Sequence, residues 1–203
     1  MSSATAQQLL WLGLLYAGWA ALHSLLLWEP LRGRLESALS LSRNAYRAYY
    51  SLLALVSLVV LSWWTCRLGG LWPFFWPWPW LALQAVLWAL SLALGGWAWL
   101  SFRKGGLDLM GWQGGAAGHH EPPHLVTGGA YAWSRHPMYL ASLVWLWARY
   151  VSAPDLVVNG VLSLYLFLGA WHEETRLRRA FGGQYRAYAR RVPAGLGLGG
   201  PRP

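Results

Sequence analysis

Charge is what this sequence has least of. Asp, Glu, Lys and Arg together make up only 11% of its 203 residues, against about a quarter in soluble domains, and that scarcity excludes an ordinary water-exposed globule. Acidic side chains are scarcest, with 7 Asp and Glu against 16 Lys and Arg. There is a single cysteine, Cys66. It cannot close an internal disulfide and has no metal-ligand pattern around it, so a disulfide framework is excluded.

What is abundant is apolar and aromatic: 56% of residues are hydrophobic and 17 are Trp. Uncharged apolar runs occur at Leu9–Trp28, Ala48–Cys66, Leu71–Phe102, Met138–Ala148 and Leu156–Trp171. A bilayer core about 30 Å thick takes roughly 20 helical residues to cross. The first three runs meet that length, and the last two cross only with their flanks or as a tight hairpin turning near Ser152–Asp155. The expected fold is therefore all-α, a polytopic membrane protein of about five transmembrane helices with a C-terminal helical hairpin and an amphipathic cytoplasmic helix. Leu9–Trp28 is too long for a signal peptide and lacks its basic leader and small-residue cleavage site, so it is expected to stay in the mature chain.

The net charge of +9 raises nucleic acid as a partner, but its distribution points to the bilayer. Arg32, Arg34, Arg43 and Arg47 follow the first run, and Arg103, Lys104 and Arg135 follow the third. Seven more arginines lie between Arg176 and Arg202, which leaves only Arg67 and Arg149 opposite. The positive-inside rule then sets the N-terminus outside and the C-terminus in the cytoplasm, with an odd number of crossings. Aromatics sit in the apolar runs or at their ends, as membrane anchors rather than as base-stacking groups, so nucleic acid is not an expected partner. Organised this way, the chain is one domain. It has three spans in 1–102, a Gly-rich cytoplasmic loop in 103–137, a hairpin in 138–171, and a C-terminal helix and tail in 172–203. In that last part Gly182–Gly183 should bend the helix, and Trp72–Trp80, rich in Pro and Trp, reads as an external interfacial turn.

Two motifs in the long loop invite chemistry. His120-Glu121-Pro122-Pro123-His124 has the letters of a zinc-protease helix, but two central prolines defeat the helix that would put both histidines on one face. No metal is expected there. The second motif, Leu125-Val126-Thr127-Gly128-Gly129-Ala130-Tyr131-Ala132-Trp133-Ser134-Arg135-His136-Pro137-Met138-Tyr139, leads directly into a span. Each part has a structural explanation, such as Pro137 in the first turn of a helix. An Arg-His pair at a helix entrance facing His172-Glu173-Glu174 at the exit of its neighbour is not explained that way, because carboxylates at a membrane edge are costly enough to be functional by default.

This stretch, followed by Glu173-Glu174, Phe181-Gly182, Tyr185, Tyr188 and Arg191-Val192-Pro193, resembles the isoprenylcysteine carboxyl methyltransferases and the bacterial phospholipid and thiol methyltransferases grouped with them. Tyr46-Arg47 and Asp108–Gln113 look similar to the bacterial thiol branch. The resemblance implies an S-adenosylmethionine-dependent methyltransferase of a bacterial or archaeal inner membrane. Its cofactor would be surrounded by Gln113, Pro123, His124, Leu125, Val126, Tyr131, His136, Pro137, Met138, Tyr139 and Glu173. Carboxylate, His and Tyr side chains suit the cofactor's ammonium and ribose hydroxyls.

One departure stands out: where the prenylcysteine enzymes carry an arginine that helps hold the carboxylate substrate, one turn before Glu173, this chain has Gly169. The acceptor classes left open are a lipid-like or membrane-partitioned molecule and a small thiol, with a non-catalytic protein on the same scaffold as the rival. A carboxylate acceptor needs no base. A thiol, with a pKa of about 8.5, gains from one, for which His136 and His172 are the candidates.

Overall fold

The computed structural model describes residues 5–67, 76–104, 125–149 and 151–195. Every regular element in them is helical: α1 (Ala6–Leu27), α2 (Glu29–Ala38), α3 (Arg43–Arg67), α4 (Leu81–Lys104), a short 3₁₀ turn (Gly129–Ala132), α5 (Pro137–Trp147) and α6 (Ala153–Arg191). α1, Ala48–Arg67 of α3, α4 and α6 are each long and apolar enough to cross a bilayer. The side chains they leave exposed, such as Leu10, Trp11, Leu52, Trp63, Leu92 and Phe167, are apolar. That is the pattern of surfaces solvated by lipid, where backbone polar groups are satisfied within each helix. The chain is an all-α integral membrane protein.

It divides into two units. The first holds α1 to α3 and residues 151–163, and the second holds 76–104, 125–149 and 164–195. In the first unit α1 and α3 run antiparallel, joined by polar contacts at successive levels. Tyr16 bonds Thr65 at 3.1 Å, Trp19 Nε1 donates to Ser57 Oγ at 2.9 Å, His23 meets Tyr50, and the Tyr46 hydroxyl donates to the Leu26 carbonyl at 2.8 Å. In lipid, where apolar attraction between helices is absent, such bonds and close packing hold helices together. The start of α6 is set by a capping box: Asp155 accepts from the backbone N–H and hydroxyl of Ser152, at 2.9 and 2.6 Å, with Pro154 tolerated in the first turn.

In the second unit α4 and α5 are antiparallel, and their register resolves how an 11-residue helix can belong to a crossing. Ser101 accepts from the Ala130 N–H at 3.1 Å, Ser91 donates to the Ala141 carbonyl at 2.7 Å, Trp88 stacks on Trp145, and Gln84 Nε2 donates to the Ala148 carbonyl at 3.2 Å. The stretch from Ala130 to Ala148 thus runs alongside α4 from Ser101 to Gln84. At 1.5 Å per residue that is roughly 25 Å of helix. α5 is shorter than the four helices of crossing length, and its flanks lengthen the stretch that runs beside α4.

The C-terminal part differs from the expected separate helix after Trp171. α6 continues unbroken through Glu173 and Glu174, and its helical geometry fails at Gly182, where φ is 50° and ψ −115°. The change at residue 172 is one of surroundings, from apolar to charged, and nothing in it interrupts backbone hydrogen bonding. The glycine pair is where the bend forms. Beyond it, Tyr185, Tyr188 and Val192 are buried together against Leu125, Leu177 and Phe181. Of the expected aromatic turn at 72–80, the described part, Trp76–Trp80, is a turn; residues 72–75 lie outside the described residues.

Candidate functional site

The site grows from one end of the second unit, where the segment before α5 is pinned on two sides. Gly129 has φ 61°, and a Cβ there would sit 2.8 Å from Ser101 Cβ, so only glycine allows this turn to close on α4. On the other side the Tyr188 hydroxyl donates to the Tyr131 carbonyl at 2.7 Å, and the Arg135 N–H donates to the Pro193 carbonyl at 3.0 Å. Pro137, preset for a first helical turn, then starts α5 with His136 as its N-cap.

His136 is 93% buried, with 7% of its side chain exposed. Its Nε2 lies 3.2 Å from Glu174 Oε1. That carboxylate also takes Arg135 at 2.9 Å and Arg178 at 3.0 Å. An ionised carboxylate only accepts, so Nε2 carries the proton and, in the neutral imidazole, Nδ1 is left as an acceptor. Nδ1 has no hydrogen-bond partner among the described residues. It faces Glu173 Oε2 at 3.8 Å, beyond hydrogen-bond range. Glu173 is the more open of the two carboxylates, 34% exposed against 13% for Glu174. The Tyr139 ring stands edge-on to His136, the ring centroids 5.5 Å apart. Burial and the nearby Glu173 charge push the Tyr131 phenol up to about 12, so Tyr131 stays a neutral hydroxyl.

His136 Nδ1, an acceptor in the neutral imidazole, and Glu173 Oε2 thus face each other without a hydrogen bond, a geometry that suits a ligand ammonium or hydroxyl. Beside the same pinned segment a cleft of about 520 Å³ opens, lined by Trp97, Leu100, Lys104, Leu125, Val126 and Thr127 among others.

Of the residues singled out from sequence, the structure brings together Tyr131, His136, Pro137, Tyr139 and Glu173. Met138 follows on the first turn of α5, half-buried. Leu125 and Val126 line the cleft, and Leu125 also packs on the Tyr185 cluster. Gln113, Pro123 and His124 lie outside the described residues, as does His120-Glu121-Pro122-Pro123-His124 as a whole. The two candidate bases separate: His136 stands within the cluster, whereas His172 is exposed. Sequence reasoning left Glu174, Arg135 and Tyr185 out of the site. Tyr185 is fully buried, its hydroxyl without a partner among the described residues, and the adjacent Arg135-His136 and Glu173-Glu174 pairs were the signal for the other two.

Over part of its length the chain is similar to characterised methyltransferases. The chain is 40% identical over 72 residues to methanethiol S-methyltransferase 1 of Bradyrhizobium diazoefficiens, covering 35% of this chain and 25% of that one. It is 35% identical over 80 residues to the protein-S-isoprenylcysteine O-methyltransferase of Mus musculus, covering 36% and 27%. It is 34% identical over 86 residues to protein-S-isoprenylcysteine O-methyltransferase B of Arabidopsis thaliana, covering 38% and 40%. The match thus spans between a quarter and two fifths of these relatives. No family model and no solved structure matches the chain. Over about a third of its length, the chain's resemblance to the isoprenylcysteine carboxyl methyltransferase family is borne out by these relatives.

Proposed function

We propose that this protein is an S-adenosylmethionine-dependent methyltransferase embedded in a bacterial or archaeal inner membrane, acting on a membrane-partitioned or lipid-like acceptor. The observation that carries the reading is the pair His136 Nδ1 and Glu173 Oε2, held 3.8 Å apart without a hydrogen bond, in a chain that is similar to methyltransferases over about a third of its length. When bound, the cofactor supplies a sulfonium-linked methyl group open to in-line displacement. The residues present fit its polar parts: Glu173 and His136 accept from ammonium or ribose hydroxyls, and the Tyr139 ring stands edge-on against His136. The backbone of Leu125 and Val126 offers further hydrogen-bonding groups along the cleft. Gln113, Pro123 and His124 are assigned to the same site by resemblance alone. What the protein contributes to such a displacement is alignment and exclusion of water, and alignment can supply several kcal/mol.

With the N-terminus outside and the C-terminus in the cytoplasm, a water-soluble donor reaches the site from the cytoplasm and an amphiphilic acceptor from the bilayer. A small thiol is the second reading, favoured by the similarity to a methanethiol S-methyltransferase and by Gly169 in place of the arginine of the prenylcysteine enzymes. Transfer of labelled methyl groups to a prenylcysteine analogue, a short-chain thiol and a phospholipid, assayed in parallel, tests the proposal. Labelling of the amphiphile supports it, labelling of the thiol alone selects the second reading, and labelling of none by cofactor-binding protein contradicts both.

A further inference from the structure

Five exposed arginines, Arg176, Arg179, Arg186, Arg190 and Arg191, lie on α6 beyond its apolar stretch, and none pairs with a carboxylate among the described residues. The carboxylates described in this unit are Glu173 and Glu174, and Glu174 is already held by Arg135 and Arg178. Arg176 and Arg179 are three residues apart, Arg186 and Arg190 four, so like charges share a helix face, an arrangement that works against the helix. The helix dipole accounts for Arg190 and Arg191, in the last turn, and retention of positive charge on one side of the membrane accounts for the sign. Neither accounts for where the bend places them.

A straight helix would carry Pro193 about 28 Å beyond Glu174. Instead the Arg135 N–H donates to the Pro193 carbonyl at 3.0 Å, and the Arg135 guanidinium lies 2.9 Å from Glu174. The turn at Gly182, with φ 50°, thus brings the end of the segment back toward the level at which α6 leaves its apolar stretch. Trp171, 71% exposed, marks that level as an interfacial aromatic. The apolar face of the returning segment is used up inside the protein, with Tyr185, Tyr188 and Val192 buried against Leu125, Leu177 and Phe181. What remains to meet the bilayer surface is the basic face.

We propose that this arginine face docks the phosphate headgroups of anionic phospholipids in the leaflet where α6 emerges. A guanidinium is weakly hydrated and matches a phosphate with two parallel donors, and the apolar stretch of α6 holds the face at headgroup depth. The same segment closes on Tyr131 and Arg135, so a lipid held there also braces the turn before α5. The lipid contact stands apart from the cofactor reading, and failure of either leaves the other intact.

Full-length protein in a neutral detergent is titrated with phosphatidylglycerol, phosphatidylcholine, inorganic phosphate and poly-glutamate, read by native mass spectrometry and thermal midpoint. Wild type should prefer phosphatidylglycerol and be stabilised by it, since a ligand of the folded state alone raises the midpoint, and added salt should weaken the preference. Each arginine at an anionic surface is worth about 1 kcal/mol, roughly fivefold in affinity. Arg186→Gln/Arg190→Gln and Arg176→Gln/Arg179→Gln should therefore each lower the preference by about 10-fold or more. The corresponding lysine pairs, and Arg34→Gln on α2, should keep most of it. All these positions are exposed, so midpoints without lipid should match wild type. Equal affinity for the two lipids, or an undiminished preference in both glutamine pairs, overturns the inference. So does binding of phosphate or poly-glutamate as readily as phosphatidylglycerol, which would assign the face to soluble anions or an acidic protein.

Discussion

His136 Nε2 is held by Glu174 at 3.2 Å, while the opposite ring nitrogen is turned to Glu173 with no bond to it. Adjacent carboxylates on one helix, about 100° apart, therefore do different work. Glu174 is buried against Arg135 and Arg178 and fixes the imidazole. Glu173 is open and presents an acceptor.

This division predicts opposite outcomes for two matched substitutions. Glu174→Gln leaves Arg135 without its counter-charge and His136 Nε2 without its carboxylate acceptor, and should destabilise the protein by roughly 2–3 kcal/mol, as expected for a half-buried hydrogen-bonded ion pair. Glu173→Gln should alter stability by under about 1 kcal/mol, since it lies on a more open surface. Thermal unfolding in one detergent measures both, and a larger loss for Glu173→Gln would contradict the assignment.

The turn before α5 gives a second contrast between neighbours. Gly129→Ala must accommodate φ 61° and a Cβ that runs into the Ser101 side chain, so it should cost about 1–3 kcal/mol. Gly128 has φ −100° and open space around it, and Gly128→Ala should change stability little. Similar midpoints for the two variants would count against the closure of this segment on α4.

Tyr131 supplies a pH dependence. In the unfolded chain its phenol ionises near 10, and in the fold at about 12. The protonated form is thus favoured by folding, so its contribution to stability is intact below pH 10 and is lost as pH rises from about 10 to about 12. Tyr131→Phe should remove that part of the alkaline decline, read as the difference between wild-type and variant unfolding across this window. Identical slopes would contradict the burial of this hydroxyl beside Glu173.

Much of this was legible in the sequence, for physical reasons that differ by element. Hydropathy alone delimits α1, α3 and α4, because lipid exposure demands unbroken apolar runs. The polar pairs Arg135-His136 and Glu173-Glu174 stand out in the sequence as charged groups at the ends of apolar runs, and the structure brings them together through contacts of 2.9 to 3.8 Å. Helical phase does not follow from the sequence. Which of two adjacent glutamates faces inward depends on the rotation of α6 against α5. The continuity of α6 past Trp171 was hidden for a related reason: the shift from apolar to charged residues marks a change of solvent, and the backbone does not respond until Gly182.

The central claim is that His136 and Glu173 together grip the methyl donor, and equilibrium binding of S-adenosylmethionine to purified full-length protein tests it most directly. Wild type should bind saturably below about a millimolar, and His136→Ala and Glu173→Gln should each weaken binding by about 10-fold or more, as the loss of a charge-assisted or buried hydrogen bond requires, with membrane insertion intact. Folded protein that binds none at about a millimolar, or two variants that bind as wild type does, would contradict it.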